Sequence, residues 1–101
     1  MKTIEENIKK IESFLALEKG WNGYSAEPFE KSLIEKAISL LDKLPSQPDV
    51  FPTGRNSIQF EYHLKDKYVE IEIFKDTIKL FVTEDFSDEK LLLEKINRVV
   101  E

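Results

Sequence analysis

Three features of the sequence predict a two-layer α+β fold, a three-stranded antiparallel meander with two N-terminal helices packed on one face and a C-terminal helix. Apolar residues recur at helical spacing up to Leu44, the period falls to two from Ser57, and Gly- or Pro-bearing stretches punctuate these segments. At 101 residues the chain suits one domain over 1–101, large enough for one core and too small for two.

Thr3 followed by Glu6 is a capping-box pattern, and Ile4, Ile8, Ile11 and Leu15 follow it along one helical face, with Glu5, Lys9, Glu12 and Lys19 on the other. Gly20 stands where a left-handed residue ends a helix, so helix one is expected over about residues 3 to 19. Pro28 suits the first turn of a second helix, in which Phe29, Leu33, Ala37, Ile38, Leu41 and Leu44 keep helical spacing until Pro45 stops it. Ile34 and Leu40 widen its apolar stripe, which places it against both helix one and the sheet. The segment from Pro45 to Gly54 contains three prolines and reads as a connector between the layers.

From Ser57, Ile58, Phe60, Tyr62 and Leu64 alternate with Gln59, Glu61 and His63; Val69, Ile71 and Ile73 then alternate with Glu70 and Glu72, and Ile78, Leu80 and Val82 with Thr77, Lys79 and Phe81. A two-residue turn at Lys75-Asp76 sets Phe74 opposite Thr77, Glu72 opposite Lys79 and Ile71 opposite Leu80, so the apolar faces coincide and a charge pair forms. Ser87 can cap the C-terminal helix, with Asp88 and Glu89 in its first turn and Leu91, Leu92, Ile96, Val99 and Val100 on its buried side.

The stretch Gly20-Trp21-Asn22-Gly23-Tyr24-Ser25-Ala26-Glu27-Pro28 joins the two helical patterns and holds the only tryptophan. Together with the helix ending at Leu44-Pro45 and the strand Ile58-Gln59-Phe60-Glu61-Tyr62, it resembles a group of small uncharacterised bacterial and phage-associated proteins with a GW[DN]GxxAxP loop, a helix, a Pro-containing loop and a Leu-Glu-Trp-like strand. The likeness covers about residues 20 to 82, and its specific portion is Gly-Trp-Asn-Gly. The sequence departs from the group at Tyr62, where Trp is common, and at Asp76-Thr77, where Asp-Gly is frequent. The resemblance implies the element order and a bacterial or mobile-element origin, and it brings no activity.

Twenty acidic against fifteen basic residues give a net charge of −5, which argues against direct nucleic-acid binding by phosphate neutralisation. Lysines interleaved with the carboxylates argue equally against mimicry of nucleic acid, and favour ordinary solubility. With no cysteine the chain has no disulfide framework and no thiolate metal site, which fits a cytoplasmic location. Its apolar runs are too short for a signal peptide or a membrane span.

Trp21 and Tyr24 flank Gly23 and offer an aromatic platform, with Asn22 between them; against this, a lone Trp after a helix commonly inserts into the core, here toward Ile11 and Leu15. Thr53-Gly54-Arg55-Asn56 is the best anion-binding candidate, although Gly, Asn and Thr are also ordinary turn residues. His63 with Glu61, Glu70 and Glu72 on one sheet face resembles an acid-base or metal site, but strict alternation yields the same cluster, and Lys79 is expected to neutralise Glu72. Glu84, Asp85, Asp88 and Glu89 could likewise be read as a metal site, but helix-dipole compensation accounts for Asp88 and Glu89 without any ion. No nucleophile elbow, phosphate loop or paired histidines are present, so no catalytic residue, metal or cofactor is expected. The expected role is non-catalytic binding of another protein through Trp21, Asn22, Tyr24, Arg55 and Asn56, as an accessory or an inhibitor of anti-defence or antitoxin-like kind. The alternative is sequestration of a small phosphorylated ligand or nucleotide between Trp21 or Tyr24 and Arg55, and an enzyme built on the Glu-His face ranks third.

Overall fold

The computed structural model describes residues 2–65 and 67–82, so the expected C-terminal helix and the carboxylates from Glu84 to Glu89 lie outside the described residues. Within them, two helices, α1 (Ile4–Ser13) and α2 (Lys31–Leu41), cover one face of a four-stranded antiparallel sheet. The strands β1 (Asp49–Pro52), β2 (Ser57–His63), β3 (Tyr68–Phe74) and β4 (Ile78–Val82) lie side by side in chain order. The architecture is the expected α+β meander with one strand more.

That extra strand lies inside the segment read as a connector. Pro52 cannot donate to a ladder, but β1 is an edge strand, where a missing N–H is tolerated, and Val50 is fully buried opposite Phe60. Its entry is held by Asn7, which is almost wholly buried on α1: Nδ2 donates to Pro48 O at 2.9 Å and to Gln47 Oε1 at 3.1 Å, while Gln47 Nε2 donates to Leu41 O at 3.1 Å. Two amides in series, Asn7 and Gln47, therefore tie α1, the end of α2 and the entry to β1 together, and satisfy polar groups that burial would otherwise penalise.

Helix one is shorter than its expected span. Thr3 caps it, accepting from Glu6 N at 3.2 Å, but after Ser13 the chain tightens into a 3₁₀ turn over Phe14–Ala16 and becomes extended at Leu17. The larger angular step per residue in that turn brings Phe14 into the core, and Leu15, expected there, is 46% exposed. Helix two also starts later than Pro28 suggested. Glu30 is its N-cap in extended conformation, so Pro28 and Phe29 belong to the loop, and Phe29 is buried against the 3₁₀ turn with its ring 5.7 Å from that of Phe14. The wide stripe of Leu33, Ile34, Ala37, Leu40 and Leu41 is buried, and α2 contacts both α1 and β3 as the pattern required.

The strand register is the one the charges prescribe: Glu72 faces Lys79, Ile71 faces Leu80, and Phe74 N donates to Thr77 O at 2.9 Å. Ile58, Phe60, Val69, Ile71 and Ile73 line the core face. From α2, Lys36 extends Nζ to Phe74 O at 2.6 Å and Lys75 O at 3.0 Å, fixing the β3–β4 turn to the helical layer; burial lowers its pKa.

Candidate functional site

The loop from Gly20 to Pro28 is built to hold one shape. Gly20 and Gly23 take left-handed backbone, φ 81° and 84°, which a residue with Cβ adopts only at a cost. Their freedom lets the loop close on itself: Gly20 N donates to Ala26 O at 2.7 Å, Gly23 N to Gly20 O at 2.9 Å, and Trp21 N to Glu18 O at 3.0 Å. Asn22, itself exposed, braces this ring. Its Oδ1 accepts from Tyr24 N at 2.9 Å and from Ala26 N at 3.3 Å, the local side-chain to backbone bonding for which Asn is suited.

Trp21 is a half-buried anchor. Its ring lies 6.0 Å from that of Phe29, at the margin of the core, and Nε1 donates to Glu27 O at 3.3 Å. The expectation that the indole turns toward Leu15 is corrected by the 3₁₀ turn, which directs Leu15 outward and presents Phe14 and Phe29 instead. Tyr24 has the opposite placement, at the outside of the loop with 86% of its surface exposed.

The second expected candidate, Thr53 to Asn56, abuts this loop. Asn22 lies over Gly54 so closely that a Cβ there would stand 2.5 Å from Asn22 Nδ2. The turn closes through Thr53 N to Ser57 O at 3.1 Å, a bond between the Thr53 and Ser57 hydroxyls, and Arg55 N to Thr53 Oγ1 at 3.1 Å, with Asn56 left-handed at φ 58°. Arg55 reaches back to the sheet, where Nε and Nη2 both approach Glu72 Oε2, at 3.0 and 2.9 Å, and Ser57 Oγ donates to the same oxygen at 2.6 Å. Glu72 is therefore neutralised by Arg55, whereas Lys79, its cross-strand neighbour, holds Nζ 5.1 Å from the Phe74 ring centroid.

Arg55 and Asn56 border an open cavity with Phe74, Lys75, Asp76, Thr77 and Lys79, and Asn56 and Lys75 also border a second with Glu27, Pro28, Phe29, Glu30 and Leu33. Neither cavity is lined by Trp21 or Tyr24. The structure thus joins the two candidate segments through Asn22 and Gly54, and does not form the clamp in which an aromatic of the loop would face Arg55.

On the outer sheet face His63, Glu61, Glu70 and Glu72 do lie together, as alternation required. Their polar atoms are engaged within the sheet face: Gln59 Nε2 bridges Glu61 at 2.6 Å and Glu70 at 3.0 Å, Tyr68 OH donates to Glu70 at 2.8 Å, His63 Nε2 is 3.2 Å from Glu61, and Glu72 holds Arg55 and Ser57. Burial first, then the bond to Glu70 and the charges of Glu61 and Glu70, push the Tyr68 hydroxyl well above its usual pKa. Among the described residues, no group of three or more His, Asp or Glu is placed to hold a metal ion. Nor is any helix among them long and apolar enough to cross a membrane.

Asn7, Ser57 and Lys36 escaped the sequence reading. Only Ser57 had a usable signal, since the correct register places it diagonally from Glu72 on the outer face. No family model matches the chain, and neither a curated protein nor a solved structure does.

Proposed function

We propose that this chain is a small non-catalytic binding protein that engages another protein through the Gly20–Pro28 loop, with Tyr24 as its anchor. The observation that carries the reading is the contrast at that loop: six hydrogen bonds and two left-handed glycines fix the backbone, yet the side chain it displays is 86% exposed. A rigid, exposed tyrosine supplies a large amphipathic contact at low entropic cost, which is the property of residues that dominate protein interfaces. The Gly-Trp-Asn-Gly resemblance supports a bacterial or phage origin, within which an accessory or inhibitory role is the reading we favour, and the absence of cysteine supports a cytoplasmic setting.

Photocrosslinking tests this directly. A benzophenone amino acid at position 24 is expected to give one dominant adduct in cells, where the same group at exposed Lys43 gives none. With that partner purified, Tyr24→Ala is expected to weaken binding at least about tenfold, roughly 1.4 kcal/mol, with an unchanged melting temperature. Equal adducts from both positions, or equal affinity of parent and variant, would refute the reading.

A further inference from the structure

Three cationic side chains border the cavity beside Arg55 in a molecule whose net charge is −5. The chain carries −5, yet Arg55, Lys75 and Lys79 converge on one open cavity of about 300 Å³ whose lining holds a single carboxylate, Asp76.

Two of the three cations are held in place by contacts that leave polar hydrogens free to face a ligand. Arg55 uses Nε and Nη2 on one buried carboxylate oxygen of Glu72, which Ser57 also engages, while its side chain remains 64% exposed. The remaining guanidinium N–H groups keep the planar fork that suits a phosphoryl oxygen. Lys79 is steadied over the Phe74 ring. Lys75 has Glu30 at 3.2 Å, in a pair exposed on both sides and therefore readily exchanged for a stronger anion. Asn56 and Thr77 add neutral hydrogen-bonding groups at the rim. Glu72 itself does not line the cavity, and its Oε2 accepts from both Arg55 and Ser57.

We propose that this cavity binds a phosphoryl anion of a small molecule, with Arg55 as the forked donor and Lys75 and Lys79 as flanking charges. The cavity is not lined by Tyr24 or by any other residue of the Gly20–Pro28 loop.

The test is a titration of ¹⁵N-labelled protein with inorganic pyrophosphate and, separately, with ADP, at constant ionic strength with chloride as the control anion. Saturable shifts confined to the amides of Asn56, Lys75, Thr77 and Lys79 are expected, with a Lys75→Gln/Lys79→Gln variant binding at least about tenfold more weakly at unchanged melting temperature. Equal affinities for the two ligands assign the site to a free polyphosphate, and tighter ADP binding assigns it to a nucleoside diphosphate; both support the proposal. Shifts that fail to saturate with either ligand, that spread over lysines elsewhere, or that persist undiminished in the double variant would overturn it.

Discussion

The contact between Asn22 and Gly54 predicts a specific failure of additivity. A Cβ at Gly54 would meet Asn22 Nδ2 at 2.5 Å, a separation that forces one of them to move. The end of a side chain normally yields cheaply, but this amide is fixed through its oxygen by Tyr24 N and Ala26 N, so yielding gives up two hydrogen bonds. At about 0.5–1.5 kcal/mol each, their loss makes Asn22→Ala cost about 1–3 kcal/mol, and Gly54→Ala is expected to cost about 1–2 kcal/mol through the same bonds. With Asn22 already truncated, the added methyl meets only Ala26 Cβ, at an ordinary 3.9 Å, and Gly54 lacks the left-handed backbone of Gly20 and Gly23. The second substitution should then be neutral, or stabilising by about 0.4–1 kcal/mol through the unfolded chain. Urea denaturation of the parent, both single variants and the double variant measures the coupling, expected at about 1–3 kcal/mol. Costs that add to within about 0.5 kcal/mol would refute the keystone role of Asn22.

Three further outcomes are expected. Ile71→Ala removes a fully buried core side chain and should cost about 2–5 kcal/mol in denaturant, against about 0.5–1 kcal/mol for outward-facing Glu70→Ala; equal midpoints would contradict the register. Trp21→Ala should cost about 2–4 kcal/mol, since the ring is half-buried on Phe29, and its blue-shifted fluorescence should resist aqueous quenchers only in part. Burial raises the Tyr62 pKa from 10.0 to about 12, so its neutral form favours the fold below the unfolded value, and that stability is lost as pH rises through the folded one. At this half-buried position, screening reduces the effect to about 1–2 kcal/mol, and between pH 10 and 12 the parent should lose that much more stability than Tyr62→Phe.

The parts of the fold that sequence revealed were those set by local periodicity. Alternation in β2, β3 and β4 fixes which side chains are inward, and the two-residue turn at Lys75-Asp76 fixes the β3–β4 register without any long-range knowledge. Strand β1 was hidden because Pro48 and Pro52 bracket only three residues, too few to show alternation, and only its place at the edge makes Pro52 acceptable. The end of α1 was misjudged because Phe14 and Leu15 compete for one core position, and the 3₁₀ turn that favours Phe14 depends on Phe29, absent from that local pattern. At the candidate site, sequence identified the loop and the turn but not their relation. Asn22 and Gly54 are far apart in the chain, Arg55 finds Glu72 across the β2–β3 register, and the three cations around one cavity meet only when the β3–β4 hairpin closes beside that turn.

The central claim is that the Gly20–Pro28 loop is a rigid display for Tyr24 and not a loose link between helices. ¹⁵N relaxation at the Gly23, Tyr24 and Ala26 amides tests it most directly. Order parameters of about 0.85, equal to those of β2 and β3, are expected, and values below about 0.6 at these amides would contradict it.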